Sequence, residues 1–447
     1  MSAESSLDVR RIVRLWWPLA GSWLLMGLEL PLVAAVMARL PDPTINLAAY
    51  SGVVFPISLV IEAPVIMLLA ASTALSNDWA SYRLLRSFMW VMVGLLTGLH
   101  VLVAFTPLFD PVVDHVLGVP VAIREPARWG LMIMTPWTGA IAVRRFHQGI
   151  MIRAGHSRAV VVGTMLRLTV NGTMLVAGLL WGAVSGIVVG TTAVVMGVLM
   201  EALYIGLRVR PFLVRLRETA RSPSHEDASL TLRRLFAFYA PLAVTPVLTL
   251  LALPVASAAM SRMPRAVDSL AVWPILAGLS FSLRSFGLAY QEVVVALFDR
   301  PAAFRSLVTF AGVLSCSMSG IMALLAATPL GWLWFAIIGG LEDSLASLGS
   351  RALWIALLMP ALSPFESLFQ GLLVKKQETG KVTQAVAIYL AVTSMVLVAG
   401  TAYGRVTGLY VGIFAAAVGL SCQALWLWRC ARRLLSRWPA LSREQVP

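Results

Sequence analysis

Charge is scarce in this sequence. Of 447 residues, 13% are Asp, Glu, Lys or Arg, while 59% are hydrophobic. A water-soluble domain carries about 25% charged residues, and a soluble chain this apolar would expose large apolar patches. Cysteine is scarce too. Cys316, Cys422 and Cys430 lie in or beside apolar segments, which argues against a disulfide framework and offers no metal-ligand spacing. The five histidines form no metal-binding pair. No Gly-rich loop ending in Gly-Lys-Ser/Thr is present, so the chain does not itself hydrolyse ATP. Nothing resembles a set of catalytic residues, and the expectation is a protein that is not an enzyme and needs no cofactor. The apolar runs also lack polar alternation, which removes an outer-membrane barrel built from alternating strands of about ten residues.

What is present is a series of apolar blocks, among them Val91–Phe105, Leu175–Val189 and Ile388–Ala399. A helix needs about 20 mostly apolar residues to cross the hydrocarbon core. The blocks predict an all-α integral membrane protein of about twelve transmembrane helices. The expected spans are 12–38, 45–76, 85–107, 127–152, 157–181, 184–207, 233–261, 268–298, 304–327, 346–374, 381–401 and 406–430. The stretch 331–340 is too short to span and reads as an interfacial turn of helix. The N-terminus passes from Asp8, Arg10, Arg11 and Arg14 into a long apolar run with no cleavage motif, so it reads as a first span and not a signal peptide.

The chain repeats. Pro18-Leu19-Ala20 returns as Pro241-Leu242-Ala243, Leu30-Pro31 as Leu253-Pro254, and Met37, Arg39 and Pro41 as Met260, Arg262 and Pro264, all shifted by 223. Thr106-Pro107-Leu108 matches Thr328-Pro329-Leu330, Gln148-Gly149 matches Gln370-Gly371, and Gly182, Gly186 and Gly190 match Gly404, Gly408 and Gly412, shifted by 222. Six spans per half keep both repeats in one orientation, giving a parallel repeat. The expected organisation is a lobe over 1–207, a cytoplasmic linker over 208–232 with Ser-Pro-Ser-His-Glu-Asp at 222–227, a lobe over 233–430 and a basic tail over 431–447.

The net charge of +14 could suggest nucleic acid, but most basic residues sit in short gaps between apolar blocks. With the N-terminus in the cytoplasm, cytoplasmic segments carry a several-fold excess of Lys and Arg, so both termini are expected there and no nucleic-acid partner is expected. The expected location is the inner (plasma) membrane, multi-pass, as a monomer in the bilayer.

A charge at a helix centre costs about 2.5–3.5 kcal/mol on insertion scales, so those inside spans need a reason. They are Glu29, Glu62, Arg144, Arg145, Arg167, Arg284, Glu292 and Glu366, accompanied by Gln148, Asn171, Gln291 and Gln370. One reading is a polar cleft between the halves. Arg144, Arg145, Arg167 and Arg284, with Asn171, Gln148 and Gln370, would clamp a small anionic substrate, because guanidinium forks match carboxylates and phosphates. Glu29, Glu62, Glu292 and Glu366 would carry H+ or Na+. The other reading is that these charges only pair with one another and fix helix packing. Glu201, near a helix end, reads as reaching the interface. Pro18, Pro31, Pro241, Pro254, Pro360 and Pro364 are candidate hinges, since each removes a backbone donor within a span. Gly178, Gly182, Gly186 and Gly190 suit close helix packing. Glu29, Glu62, Arg144, Arg145 and Arg167 have no identical counterparts at the repeat offset, so a single substrate site is expected to be asymmetric between the halves.

Six plus six spans in a parallel repeat, with a proline near the start of each half, resemble the multidrug/oligosaccharidyl-lipid/polysaccharide flippase (MOP) superfamily. It includes the multidrug and toxic compound extrusion (MATE) transporters and the lipid II flippases. Within it the chain is most similar to the progressive ankylosis family. Pro241-Leu242-Ala243, Pro254 and Ser261-Arg262 stand at that family's spacing. Gln291-Glu292 through Ala296-Leu297-Phe298-Asp299-Arg300 resembles its run ending in Phe-Asp-Lys, and His147-Gln148-Gly149-Ile150 followed by Ser157 resembles its His-Ala-Gly-Ile pattern. Pro360, Gly371 and Lys375-Lys376 keep its spacing, but Glu366 stands where the family carries an arginine. The resemblance implies alternating-access export of a small organic anion such as citrate, malate or a nucleoside triphosphate. A H+- or Na+-coupled multidrug exporter and a lipid flippase are the alternatives.

Overall fold

The computed structural model describes residues 9–219, 230–298, 303–376 and 378–444. The 222–227 part of the expected linker, the last residues of the tail, and Asp299 and Arg300 of the family-like run lie outside the described residues. The described residues form helices and no strands. In chain order these are α1 (Val9–Met37), α2 (Pro43–Leu75), α3 (Trp79–Phe105), α4 (Arg124–Arg153), α5 (Ser157–Trp181), α6 (Gly186–Arg208), α7 (Arg210–Thr219) and α8 (Leu232–Ser261). The series continues with α9 (Ala266–Leu297), α10 (Ala303–Ala327), α11 (Pro329–Ile338), α12 (Asp343–Ala356), α13 (Leu358–Lys375), α14 (Thr379–Tyr403) and α15 (Gly408–Glu444).

Every expected span coincides with a helix or a bent helix pair, but the count by apolarity differs. Among the described residues ten helices are long and apolar enough to cross a membrane, and α12 with α13, bent by 42°, make an eleventh. The twelfth expected span is α4. Its 30 residues exceed the roughly 20 needed, but Arg144 and Arg145 sit in its inner part and lower its hydropathy. The bend at Leu357 lies three residues before Pro360, whose ring meets the carbonyl four residues earlier and denies it a hydrogen bond. The stretch expected as an interfacial turn is α11, whose Thr328 cap accepts a bond from the Leu330 amide.

The repeat is visible in the backbone. Asp42 and Arg265, shifted by 223, both take positive φ (51° and 55°) just before α2 and α9. Gly182 and Gly404, shifted by 222, end α5 and α14 in the left-handed region (φ 69° and 64°), where a side chain would be strained. Gly178 and Gly400 face Val189 and Val411, so closely that a Cβ would collide in either half.

The change of offset has a structural cause. Residues Tyr50–Val54 of α2 form a π-helical turn, which accommodates one extra residue in an α-helix. No such turn is present in the described part of α9. Beyond it the offset is 222. The Tyr239 hydroxyl donates to the Pro64 carbonyl, and the Trp16 indole donates to the Phe286 carbonyl. Tyr239 stands 223 after Trp16, and Phe286 stands 222 after Pro64.

The chain divides into two compact units. One comprises Val36–Ser261; the other comprises Met1–Ala35 with Arg262–Pro447. Relative to the sequence halves, the first long helix of each has changed places. α1 packs with the second half, and α8 with the first.

Candidate functional site

Each unit holds a buried polar cluster. In the Val36–Ser261 unit, residues 164, 167 and 171 share one face of α5, and 144 and 148 share one face of α4, as spacings of three and four require. All but Asn171, which packs against Gly197, meet Glu201 of α6, which has no exposure to solvent. Its carboxylate accepts from Arg144 Nη1 at 2.7 Å, Gln148 Nε2 at 2.9 Å and Thr164 Oγ1 at 3.3 Å, and Arg167 Nε lies at 3.4 Å. Glycines let the helices approach this closely. A Cβ at Gly163 would press on the Glu201 side chain at 3.3 Å, and one at Gly197 on the Arg167 carbonyl at 2.9 Å.

Glu62 of α2 is buried beside Trp137 and lies in the field of Arg144, Arg145 and Arg167. Three arginines face two carboxylates, leaving one formal positive charge in excess. Arg145 makes no ion pair within 4 Å among the described residues, although the charges of Glu62 and Glu201 act on it. Buried Glu62 Oε2, Arg144 Nε and Arg145 Nε have no hydrogen-bond partner among the described residues. Buried polar atoms are normally satisfied, so the cluster retains hydrogen-bonding capacity that the protein does not use.

In the other unit, Arg284 Nη2 of α9 lies 3.5 Å from Glu366 Oε2 of α13. The charges of both act on Tyr389 of α14, which is bonded to Thr393. Glu366 and Thr393 are buried, and the Ser363 hydroxyl donates to the Arg284 carbonyl at 2.9 Å.

The two clusters are repeat equivalents. With the offset at 222 beyond the π turn, Glu62 corresponds to Arg284 and Arg144 to Glu366, so the charges of the pair are exchanged between the halves. Arg145 corresponds to Ser367, Gln148 to Gln370, Arg167 to Tyr389, Asn171 to Thr393 and Glu201 to Gln423. Packing supports this register. Gly149 meets the Leu69 carbonyl and Ser72 as Gly371 meets the Gln291 carbonyl and Val294, and Gly197 meets Arg167 and Asn171 as Gly419 meets Tyr389 and Thr393. The first cluster is cationic and crowded with charge; the second is neutral, with a single ion pair among the described residues.

Of the residues singled out from the sequence, Glu62, Arg144, Arg145, Gln148, Arg167 and Asn171 fall in the first cluster. Arg284 and Glu366 form the second, with Gln370 half-buried one helical turn from Glu366. Glu292 is exposed near the end of α9. Glu29 lies half-buried on α1. Pro18 and Pro31 lie inside α1, Pro241 and Pro254 inside α8, and Pro360 and Pro364 in α13 after the bend. Glu201, read from the sequence as an interface residue, is instead the centre of the first cluster. A usable signal was its depth, seven residues or about 10 Å from the end of α6. Among the described residues no group of His, Cys, Asp and Glu could hold a metal ion.

The all-helical fold is one shared with solved MATE-type transporters. The chain is similar to an inward-facing multidrug resistance MATE family transporter of the MOP superfamily, with a TM-score of 0.66 at 15% identity, over 94% of this chain and 96% of that one. It is similar to a MOP superfamily transporter from Pyrococcus furiosus described as having a binding pocket of reverse polarity, with a TM-score of 0.59 at 16% identity, over 96% of both chains. It is also similar to a eukaryotic MATE transporter, with a TM-score of 0.61 at 14% identity, over 96% and 99%. At these identities the fold is what is shared. No protein-family model and no curated protein matches the sequence.

Proposed function

We propose that the chain is an alternating-access secondary transporter that exports a small organic anion, of the di- or tricarboxylate or nucleotide-phosphate type, bound at Arg144, Arg145 and Arg167. The observation that carries this reading is Arg145: a half-buried guanidinium with no ion pair among the described residues and a buried Nε left unbonded, in a cluster with one positive charge in excess. Such a group costs energy within a membrane span, and a bound carboxylate or phosphate would offset that cost with charge-assisted bonds. The solution of MATE transporters of this fold in inward-facing and outward-facing conformations supports alternating access. The reverse-polarity pocket described for the Pyrococcus furiosus protein supports the view that this fold accepts pockets of either sign. The likeness of the 241–262 and 291–300 runs to the progressive ankylosis family points the same way.

The test is flux of radiolabelled citrate, malate and ATP in proteoliposomes. Arg145→Gln should lower anion flux at least tenfold while lowering the melting temperature less than Arg144→Gln does, because Arg145 makes no ion pair within 4 Å among the described residues whereas Arg144 is bonded to Glu201. Absence of flux for every di- and tricarboxylate and nucleotide would sink the proposal.

A second reading has its own observation: Glu62 and Glu366 are buried carboxylates, suited to carry H+ or Na+ in exchange for a cationic drug. Efflux of a cationic dye, lost in Glu62→Gln or Glu366→Gln while anion flux is absent, would favour that exporter.

A further inference from the structure

Outside the clusters, α5 and α6 pack side by side and antiparallel, so the start of α5 and the end of α6 meet at one end of the first unit. Between them lies a cavity of about 540 Å³ lined by Gly155, His156, Arg158, Ala159, Val162, Tyr204 and Arg208. Arg158 and Arg208 are exposed, and neither has an ion-pair partner among the described residues. Ala159 is buried and Val162 half-exposed, so the wall below the arginines is apolar. Val161, Val162 and Met165 then carry an exposed apolar surface further along α5. His156, at the start of α5, makes no side-chain cap, and its carbonyl accepts from the Ala159 amide at 3.1 Å. On the other side of His156 lies the ring of Phe212, at 4.5 Å, from α7. That helix places Arg210, Arg215 and Arg217 among Phe212, Leu213, Val214 and Leu216, a composition suited to a membrane interface.

A cationic mouth that continues into an apolar wall matches one amphiphile. We propose that this cavity binds an anionic phospholipid, with the headgroup phosphate between Arg158 and Arg208, the Tyr204 hydroxyl in reach, and an acyl chain along Val161, Val162 and Met165. Basic pockets between helices at the positively charged side of a membrane protein are suited to such headgroups. Orientation by loop charge needs basic residues at this end, but it does not require two of them to converge on a cavity. At the equivalent positions of the second half stand Gly380 and Cys430 in place of Arg158 and Arg208. A soluble anion would use the arginines but not the apolar wall.

The full chain is reconstituted in phosphatidylcholine bilayers containing a minor fraction of phosphatidylglycerol, and the lipid retained through purification is measured. Two arginines at a headgroup correspond to a preference of roughly 30-fold for the anionic lipid. Arg158→Gln combined with Arg208→Gln should bring retention close to the bulk ratio, while Arg83→Gln, at the same end but outside the cavity, should leave it unchanged. A photoactivatable phosphatidylglycerol on the unsubstituted chain should label 155–162 and 204–208, which tests the site even if the double variant fails to insert. Equal retention of both lipids, unchanged preference in a folded double variant, labelling elsewhere, or displacement of the lipid by millimolar inorganic phosphate would each overturn the proposal.

Discussion

Glu201 takes donors from two helices while standing on a third. Removing one partner of a buried ionic network costs about 3–5 kcal/mol, because the other charges stay buried and unpaired. Glu201→Ala should therefore lower the melting temperature of the purified protein steeply. Glu201→Gln, which copies the Gln423 of the other half, should lower it less. A mild effect of Glu201→Ala would mean that Arg144 and Arg167 find other partners. The exchanged pair allows a sharper test. Because Glu62/Arg144 and Arg284/Glu366 occupy equivalent places with opposite signs, the fold tolerates either arrangement. The double variant Arg284→Glu with Glu366→Arg should be more stable than either single variant, each of which brings two like charges within about 4 Å. A thermal-melt double-mutant cycle measures this coupling, and additive losses would contradict it.

At the scale of the element, the π turn of α2 holds one residue more than the corresponding turn of α9. Both ends of that stretch are fixed, by the Asp42 turn and by the Tyr239–Pro64 bond. Deleting Val53 should convert the π turn to an α turn and leave Glu62 in register, whereas deleting Ile275 from α9 has no such slack to consume. Expression and melting of the two deletions should differ clearly. Gly178→Val forces a side chain onto Val189 and should destabilise by about 1–3 kcal/mol, as overpacking does, measured by thermal melting. The helices themselves were legible in the sequence because apolar length and glycine or proline punctuation act locally. Gly182, expected to suit close helix packing, instead ends α5 at positive φ, as Gly404 ends α14. The duplicated offset was legible, but its change from 223 to 222 had no visible cause, since a π turn leaves no mark in composition. For that reason Glu62 and Arg284 were not recognised as counterparts. The cluster residues were found by their cost within a span. Glu201 was missed because a charge near a helix end has a cheaper explanation until α4 and α5 are seen to enclose it.

For the whole molecule, the exchange of α1 and α8 means that neither sequence half is a compact unit. A chain cut between Thr219 and Leu230 should yield two fragments that are unstable when expressed alone and that copurify when expressed together. A stable, monodisperse N-terminal fragment would contradict this. The exchange also sets an order of events during synthesis. When α8 enters the bilayer, its partners in Val36–Ser261 have already been made. The partners of α1 begin only at Arg262, more than two hundred residues later, a delay of about 10–50 s at ordinary elongation rates. Through that interval α1 waits in lipid without its final neighbours and with the Trp16 indole unmatched, so a helix made before α8 is packed after it.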